Sequence, residues 1–227
     1  MKKIFGSFSK FEKGLWATSV ALIVGSFFCF DRVNYSTLVA SLVGVTSLIF
    51  CAKGNPIGQV LMVVFSVLYG VIAYGFSYYG EMITYLGMTL PMSVFALISW
   101  LKNPYKNNKS EVKVNSITPK ELVLIFAVTI VVTVVFYYIL AYFNTANLIP
   151  STISVATSFL AAALTFRRSP YFALAYATND VVLIVLWVLA SVYDRRYIAV
   201  VVCFLAFLFN DVYGFISWQK MKKRQRG

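Results

Sequence analysis

Histidine is absent from this chain of 227 residues, and acidic residues number only 8. Without histidine, the chain lacks the commonest general base and the commonest metal ligand. A glycine-rich phosphate-binding loop of the Walker type is also missing, which argues against ATP hydrolysis. The 3 cysteines stand singly in apolar runs without metal-ligand spacing, as small buried side chains do. We therefore expect no cofactor, no metal and no enzyme activity.

Charged residues are scarce as well. They make up 12% of the chain, against roughly 25% in ordinary globular domains, whereas hydrophobic residues make up 60%. A soluble core of this size does not need so much apolar surface, so the composition predicts an all-α integral membrane protein. Eight runs are long enough to cross a bilayer as helices. They are Leu15–Phe30, Thr37–Ala52, Ile57–Tyr79, Met82–Leu101, Glu121–Phe143, Ser151–Phe166, Tyr171–Tyr193 and Tyr197–Lys220.

The basic residues are distributed unequally between the two sides of these spans. With a cytoplasmic N-terminus, 17 of the 20 Lys and Arg residues fall in cytoplasmic segments, and only Arg32, Arg195 and Arg196 fall outside. This positive-inside bias predicts eight spans with both termini in the cytoplasm. Topology and contact with the lipid bilayer thereby explain the net charge of +12, and nucleic acid is not expected as a partner.

Two parts of the chain resemble each other on either side of the hydrophilic stretch 102–120. This stretch is interpreted as a basic cytoplasmic connector with little structure. Spans four and eight end in ISWLK and ISWQK, and spans three and seven follow KGNP and RRSP, at offsets of 118 and 114 residues. These matches predict two parallel triple-helix repeats joined by span five, the 3+1+3 arrangement of SWEET transporters, plus one extra N-terminal helix. The predicted segments are 1–36 (basic segment and extra helix), 37–101 (first repeat), 102–120 (connector), 121–143 (linker helix) and 144–227 (second repeat and basic tail).

Two Asn-Asp pairs, Asn179-Asp180 and Asn210-Asp211, interrupt spans seven and eight. Both aspartates lie roughly 13–18 Å from the inner ends of their helices, close to the midplane of the bilayer. A carboxylate at that depth costs several kcal/mol unless it is paired or faces a cavity. The pairs are interpreted as one polar binding site whose missing positive charge is supplied by the ligand. Alternatively, they only form hydrogen bonds between helices.

Trp187 follows Asp180 by seven residues and lies on the same helix face. An indole beside a carboxylate suits a flat cationic ring, although Trp187 could also be a core or lipid-facing filler. Trp16, Trp100 and Trp218 are typical of the interfacial aromatic belt. Further candidate site residues are Gln59, Ser66 and Tyr69 in span three and Tyr213 in span eight.

Span four contains an acidic residue and a proline that bear on function. Glu81, at its outer end, is interpreted as a solvated cap or as a gate residue, and Pro91 allows a kink. Asp180 and Asp211 would also suit the catalytic dyad of an intramembrane aspartyl-type enzyme. The glycine-rich and polar neighbourhoods expected of a hydrolytic dyad are missing, however. A structural or sensor component is a third possibility.

The run YGEMITYLGMTLPMSVFALISWLKNPYKNNKSEVKVN and the segments NDVVLIVLW and NDVYGFISW resemble the PnuC family of bacterial vitamin transporters. The resemblance covers nearly the whole chain from span two onward. It implies a SWEET-like fold and a homotrimer in the bacterial inner membrane. It also implies uptake of nicotinamide riboside by facilitated diffusion with alternating access, followed by trapping by a cytosolic riboside kinase.

The predicted site offers a partner for each part of nicotinamide riboside. Trp187 and an aspartate suit the pyridinium cation, Asn179 or Asn210 the carboxamide, and Gln59 with the aspartates the ribose hydroxyls. The family's WxxW motif is matched only at Trp187, so thiamine and riboflavin stay as alternatives. Thiamine carries a fixed positive charge and fits nearly as well, whereas neutral riboflavin fits the acidic pair less well.

Overall fold

The computed structural model describes residues 8–75, 79–106 and 108–226. Within these residues, eight helices are long and apolar enough to cross a membrane, which confirms the predicted all-α, eight-span fold. They are α1 (Lys10–Asp31), α2 (Tyr35–Ala52), α3 (Ile57–Gly75), α4 (Tyr79–Lys102), α5 (Pro119–Tyr142), α6 (Leu148–Phe166), α7 (Phe172–Ser191) and α8 (Arg195–Arg226). The predicted span three runs through 76–78 to Tyr79, whereas Tyr79 is the first residue of α4 in the structure. Residues 76–78 and the first basic residues, in 1–7, lie outside the described residues.

Two helices begin at capping boxes that precede their apolar runs. In α1, the Ser9 hydroxyl accepts the Glu12 N–H, and the Glu12 carboxylate accepts the Ser9 N–H. Thr118 and Glu121 make the same reciprocal pair at the start of α5, where Pro119 occupies the first turn. A capping box satisfies two backbone donors that a helix start leaves free, and proline there loses no helical hydrogen bond. Helix α1 therefore starts five residues before the predicted Leu15.

Helix α4 contains a π-helical stretch, Thr84–Thr89, between two α-helical parts. Pro91 follows directly in the first turn of the second part. Proline has no N–H to donate and its ring crowds the preceding turn, so a widened turn accommodates it. The expected irregularity at Pro91 thus takes the form of a π-bulge.

The helices pack as two triple-helix units with two additional helices. Helices α2, α3 and α4 form one unit, and α6, α7 and α8 form the other. The units meet where α2 packs against α8 and where α4 packs against α6, so the first helix of each unit contacts the third helix of the other. Helix α1 packs on α2 and α8, and α5 packs on α6.

In each unit, a tryptophan side chain donates a hydrogen bond to a backbone carbonyl of the other unit. Trp100 in α4 donates to the Thr165 carbonyl at the end of α6 (2.9 Å), and Trp218 in α8 donates to the Cys51 carbonyl at the end of α2 (2.8 Å). Both indoles are fully buried, with ring centroids 5.4 Å apart. A buried indole N–H needs an acceptor, and the last carbonyls of a helix are free to accept. The assignment of these two tryptophans to an interfacial belt is therefore wrong. Their reciprocal contacts support the duplication, while the predicted segment boundaries stay a prediction.

The connector after α4 is structured, and the expectation of little structure is wrong. It forms an antiparallel hairpin of β1 (Pro104–Tyr105) and β2 (Asn108–Val112). At the end of β2, the Val112 N–H donates to the Gly54 carbonyl (2.9 Å), and beyond the hairpin the Asn115 N–H donates to the Arg168 carbonyl (3.0 Å). Gly54 and Arg168 occupy equivalent left-handed turns of the two units, at φ of 65° and 56°. The connector therefore joins both units at one end of the bundle.

We call this end the basic face. The Lys53 ammonium forms an ion pair with Glu12 there (3.1 Å), which brings the start of α1 to the α2–α3 turn. At the end of α8, the Gln225 side chain accepts the Val114 N–H (2.8 Å) and donates to Glu111 (2.8 Å). The structure thus gathers the start of α1, both repeat turns, the connector and the end of α8 at one face, as an even number of spans requires.

Candidate binding site

A cavity of about 110 Å³, the central cavity, lies between the two triple-helix units. Helices α2, α3 and α4 line it from one unit and α6, α7 and α8 from the other, while α5 contributes Leu140. Of the described residues in its wall, only Glu81, Asp180 and Asp211 carry a charge, and all three are acidic. The cavity is therefore suited to a cation.

Asp180 and Asp211 are neighbours in this wall, close enough for their carboxyl groups to interact. Their exposed fractions are only 3% and 4%. The Oδ2 atom of Asp180 is buried and has no hydrogen-bond partner among the residues that the structure describes. Two carboxylates in contact repel each other unless a proton or a cation lies between them. The structure thus brings the two predicted aspartates together and leaves one oxygen free for a ligand.

Asn179 lines the same cavity and is oriented by α6. The hydroxyls of Thr157 and Ser158 donate to its Oδ1 atom at 2.8 Å and 3.0 Å. Because these bonds use the amide oxygen, the amide nitrogen stays available as a donor to a ligand. The pair Asn179-Asp180 therefore offers a donor and an acceptor side by side.

Aromatic side chains form another part of the wall. Tyr69 lies against Tyr85, with ring centroids 4.8 Å apart, and against Phe65 at 5.0 Å. Trp187 also lines the cavity and contacts Tyr197 at 5.2 Å. Rings of this kind attract a cation through their negative faces and pack against a flat ligand.

Asn210 lies outside the central cavity, which corrects its predicted place in the site. Its amide nitrogen donates to the Ser19 hydroxyl of α1 and to the Ala206 carbonyl, both at 2.8 Å. Consecutive residues of a helix point about 100° apart, so Asn210 turns toward α1 while Asp211 turns toward α7. The interhelical hydrogen bond considered as an alternative for the Asn-Asp pairs is what Asn210 forms.

Three further predicted residues also lie away from the central cavity. Gln59 donates to the Cys51 sulfur (3.3 Å), and Ser66 donates to the Met62 carbonyl of its own helix (2.8 Å). Tyr213 donates to Glu12 (3.0 Å) near the basic face. These side chains meet their hydrogen-bonding needs with neighbouring helices or their own backbone, so the structure does not bring them to the site.

Several lining residues were not predicted from the sequence. Four of them lie in the π-bulge of α4. The periodicity of the sequence does not reveal where a π-bulge forms, so these residues could not be predicted. A second group lies on α6, where hydroxyl residues spaced by three and four positions form a polar stripe that could have been recognised. The residues are Thr84, Tyr85, Met88 and Thr89 on α4 and Ser151, Ser154 and Ser158 on α6.

Eight spans, six of them in two triple-helix units that enclose a cavity with acidic groups in its wall, define a multi-pass membrane protein of the transporter class. The sequence profile of the family described as nicotinamide mononucleotide transporter matches residues 34–220. The chain belongs to this family. Membership of a transporter family confirms the expectation that the chain is not an enzyme.

Named relatives agree with this assignment. The chain is 25% identical over 230 residues to the nicotinamide riboside transporter PnuC of Neisseria mucosa, covering 100% of this chain and 87% of the relative. It is 22% identical over 192 residues to that of Haemophilus influenzae, covering 84% and 82%. Its fold is similar to the crystal structure of the vitamin B3 transporter PnuC, with a TM-score of 0.84, 23% identity and coverage of 99% and 97%. The predicted PnuC resemblance is confirmed.

Proposed function

We propose that this chain carries nicotinamide riboside across the membrane. The observation that supports this most directly is the contact between Asp180 and Asp211, which leaves an unpartnered oxygen in a wall of aromatic rings. The pyridinium cation suits the aspartate pair and Trp187. The carboxamide suits Asn179, whose amide nitrogen is free to donate. The names of the two relatives point to the same substrate.

The charge of the wall favours the riboside over the mononucleotide of the family description. A phosphate group would meet three carboxylates and no lysine or arginine among the described lining residues. At a separation of 6 Å and an effective dielectric constant of 20, each pair of like charges costs about 3 kcal/mol. The riboside lacks the phosphate and keeps the positive charge.

Thiamine is the second candidate, because its fixed positive charge also suits the aspartate pair. Neutral riboflavin gains nothing from two carboxylates. Asn179 favours the riboside over thiamine, since its oriented amide matches a carboxamide.

We propose that transport is facilitated diffusion, in which the two triple-helix units rock against each other around the central cavity. Fully buried Trp100 and Trp218 separate this cavity from the basic face, whereas cavities toward the opposite face share wall residues with it. The described conformation is therefore closed toward the basic face. A cytosolic riboside kinase would then trap the product and keep the gradient inward.

We place the basic face in the cytoplasm of a bacterial inner membrane, with both termini inside, because of the positive-inside rule. A homotrimer is proposed from the family resemblance. Helix α5 supports a contact of this kind, since it lies at the periphery and most of its apolar side chains are uncovered.

Calorimetric titration of the purified protein with nicotinamide riboside, its mononucleotide, thiamine and riboflavin tests the substrate. We expect the riboside to bind most tightly and the mononucleotide at least about tenfold more weakly, because of the repulsion estimated above. Equal binding of the mononucleotide would contradict the charge argument. Tighter binding of thiamine than of the riboside would indicate that thiamine is the substrate. Proteoliposomes loaded with the preferred ligand then show whether flux occurs without an ion gradient.

A further inference from the structure

The connector crosses the boundary between the two triple-helix units at the basic face. The Val112 N–H donates to the Gly54 carbonyl (2.9 Å), which lies in the turn between α2 and α3 of the first unit. Three residues later, the Asn115 N–H donates to the Arg168 carbonyl (3.0 Å), which lies in the turn between α6 and α7 of the second unit. We call residues 112–115 the strap. The strap is therefore bonded to both units at once.

The length of the strap limits how far the two turns can separate. Three residues of fully extended chain reach at most roughly 10–11 Å. Beyond this reach, the turns can move apart only if the strap detaches from one of them. A wide opening of the basic face between the units therefore breaks one of the two attachments.

The connector also covers the paired tryptophans that separate the central cavity from the basic face. Its Val112 side chain is fully buried, and Val114 and Ile117 pack in the same apolar cluster. Trp100 and Trp218 belong to this cluster. A solute that leaves the cavity through the basic face has to pass between the tryptophans, so the side chains that cover them have to move as well.

A third attachment holds the strap to the end of α8, in the second unit. The Gln225 side chain accepts the Val114 N–H (2.8 Å), and its amide nitrogen donates to the Val112 carbonyl (3.1 Å) and to Glu111 (2.8 Å). The net free energy of such bonds is small, because water replaces the partner when a bond breaks. These attachments can therefore break and re-form within a transport cycle.

We propose that the strap is the inner gate of the transporter and that it detaches from the second unit before solute leaves through the basic face. The strap stays on the first unit, because Val112 is fully buried there and packs against Gly54, where an added Cβ would lie 3.3 Å from the valine. Its attachments to the second unit are the hydrogen bonds of half-buried Asn115 and of Gln225. This proposal rests on the proposed function, because a gate requires a solute that crosses the membrane.

A disulfide between the strap and the second unit tests the gate. Asn115→Cys and Arg168→Cys are combined, since positions joined by a backbone hydrogen bond meet the Cα separation of a disulfide, roughly 4.4–6.8 Å. Cys29→Ser removes the exposed native thiol. We expect oxidation to lower the exchange of nicotinamide riboside across proteoliposomes at least about tenfold, and reduction to restore it. Calorimetric binding of the riboside stays within about twofold, because the cavity stays open to the opposite face.

A disulfide within the connector is the matched control. Tyr105→Cys and Asn108→Cys stand opposite each other in the hairpin, so their cross-link ties the connector only to itself. We expect its exchange rate to stay within about twofold on oxidation. If oxidised Asn115→Cys/Arg168→Cys protein, with the cross-link verified by mass spectrometry, exchanges riboside as fast as the reduced protein, the inner gate is overturned.

Cys51 measures the opening of the gate without any cross-link. It is buried in the tryptophan cluster, so a thiol reagent reaches it only when this cluster opens. Gln225→Ala removes three hydrogen bonds to the connector, and we expect the rate of Cys51 modification to rise about tenfold. Gln219→Ala is the control, because this side chain of the same helix has no hydrogen bond among the described residues. It leaves the rate within about twofold.

Equal rates of Cys51 modification in the wild type and Gln225→Ala overturn the inner gate as well. If the cysteine pair does not fold or does not cross-link, the rate at Cys51 decides alone. Calorimetric binding to the wild type separates these results from the larger claim. If the wild type binds no riboside, the proposed function fails; if it binds and the cross-link leaves exchange unchanged, only the inner gate fails.

Discussion

Asn210 and Asp211 are neighbours in the chain and belong to different parts of the molecule. The carboxylate faces the cavity between the two units, whereas the amide holds helix α1 against α8. The helical rotation between consecutive residues separates them. At the scale of the residue, a polar group inside the membrane can therefore face a cavity or form a hydrogen bond to another helix. Two adjacent residues can differ in this respect.

This pair of residues supplies a matched test of the central site. We expect Asp211→Asn to weaken riboside binding at least about tenfold, because a charge-assisted contact is worth about 1.5–3 kcal/mol. Asn210→Ala keeps the dissociation constant within about twofold. It lowers the thermal stability instead, since its bonds to Ser19 and Ala206 contribute about 1 kcal/mol each.

Calorimetry and thermal unfolding in the same detergent separate the two effects. A loss of binding in Asn210→Ala without a loss of stability would return Asn210 to the site. Wild-type affinity for the riboside in Asp211→Asn would show that the aspartate pair does not belong to the binding site.

At the scale of the element, buried tryptophans tie the end of one helix to a helix of the other unit. Trp100 and Trp218 each donate to the second-last carbonyl of the first helix in the opposite unit. Such carbonyls lack an intrahelical donor, and in a membrane-spanning bundle no bulk water is available to them. The exchange therefore stabilises the packing of the two units at the basic face.

We expect Trp100→Phe and Trp218→Phe to lower the free energy of unfolding by similar amounts, about 0.5–1.5 kcal/mol each for the lost hydrogen bond. Each change removes the indole donor from a carbonyl that keeps its turn bond, from the Arg168 N–H at Thr165 and from the Gly54 N–H at Cys51. Trp16→Phe is the control and costs less, because Trp16 is only partly buried and donates to the Thr46 hydroxyl, which has its own bond to Leu42. Unfolding temperatures of the three variants in one detergent provide the comparison. A clear inequality between Trp100→Phe and Trp218→Phe would argue against equivalent contacts in the two units.

At the scale of the whole molecule, most of the described basic residues and the connector occupy one face. The other face has Arg32, Arg195 and Arg196 together with a cavity of about 700 Å³, the outer vestibule. The connector forms hydrogen bonds with both repeat turns and with the end of α8, all at the basic face. The vestibule leads toward the central cavity from the opposite side. This polarity suits a protein that accepts its solute from one side and releases it to the other.

Cysteine labelling tests the orientation in the membrane. We expect Tyr193→Cys, at the vestibule, to react with an impermeant maleimide in intact cells, and Lys109→Cys, in β2, to react only after lysis. Cys29→Ser provides the background, because Cys29 is exposed whereas Cys51 and Cys203 are buried. The reverse pattern of labelling would show that the protein has the opposite orientation in the membrane.

The number of spans and their charge asymmetry could be predicted from the sequence because both depend on local composition. The length of an apolar run decides whether a helix reaches across the hydrocarbon, and basic residues between runs mark one side. The two aspartates were found for a similar reason, since an acid deep in an apolar run stands out without any knowledge of its neighbours.

Which polar side chains share a cavity depends on how the helices pack against each other. Gln59, Ser66, Asn210 and Tyr213 were predicted to share the site with the aspartates, yet their surroundings depend on which helix lies beside each face. The π-bulge of α4 and the folded connector likewise arise from contacts between distant segments. Eight membrane-spanning helices with acids near their middle follow from the sequence alone, because length and charge are properties of single segments. The site required the structure, because a cavity is a property of helices in contact.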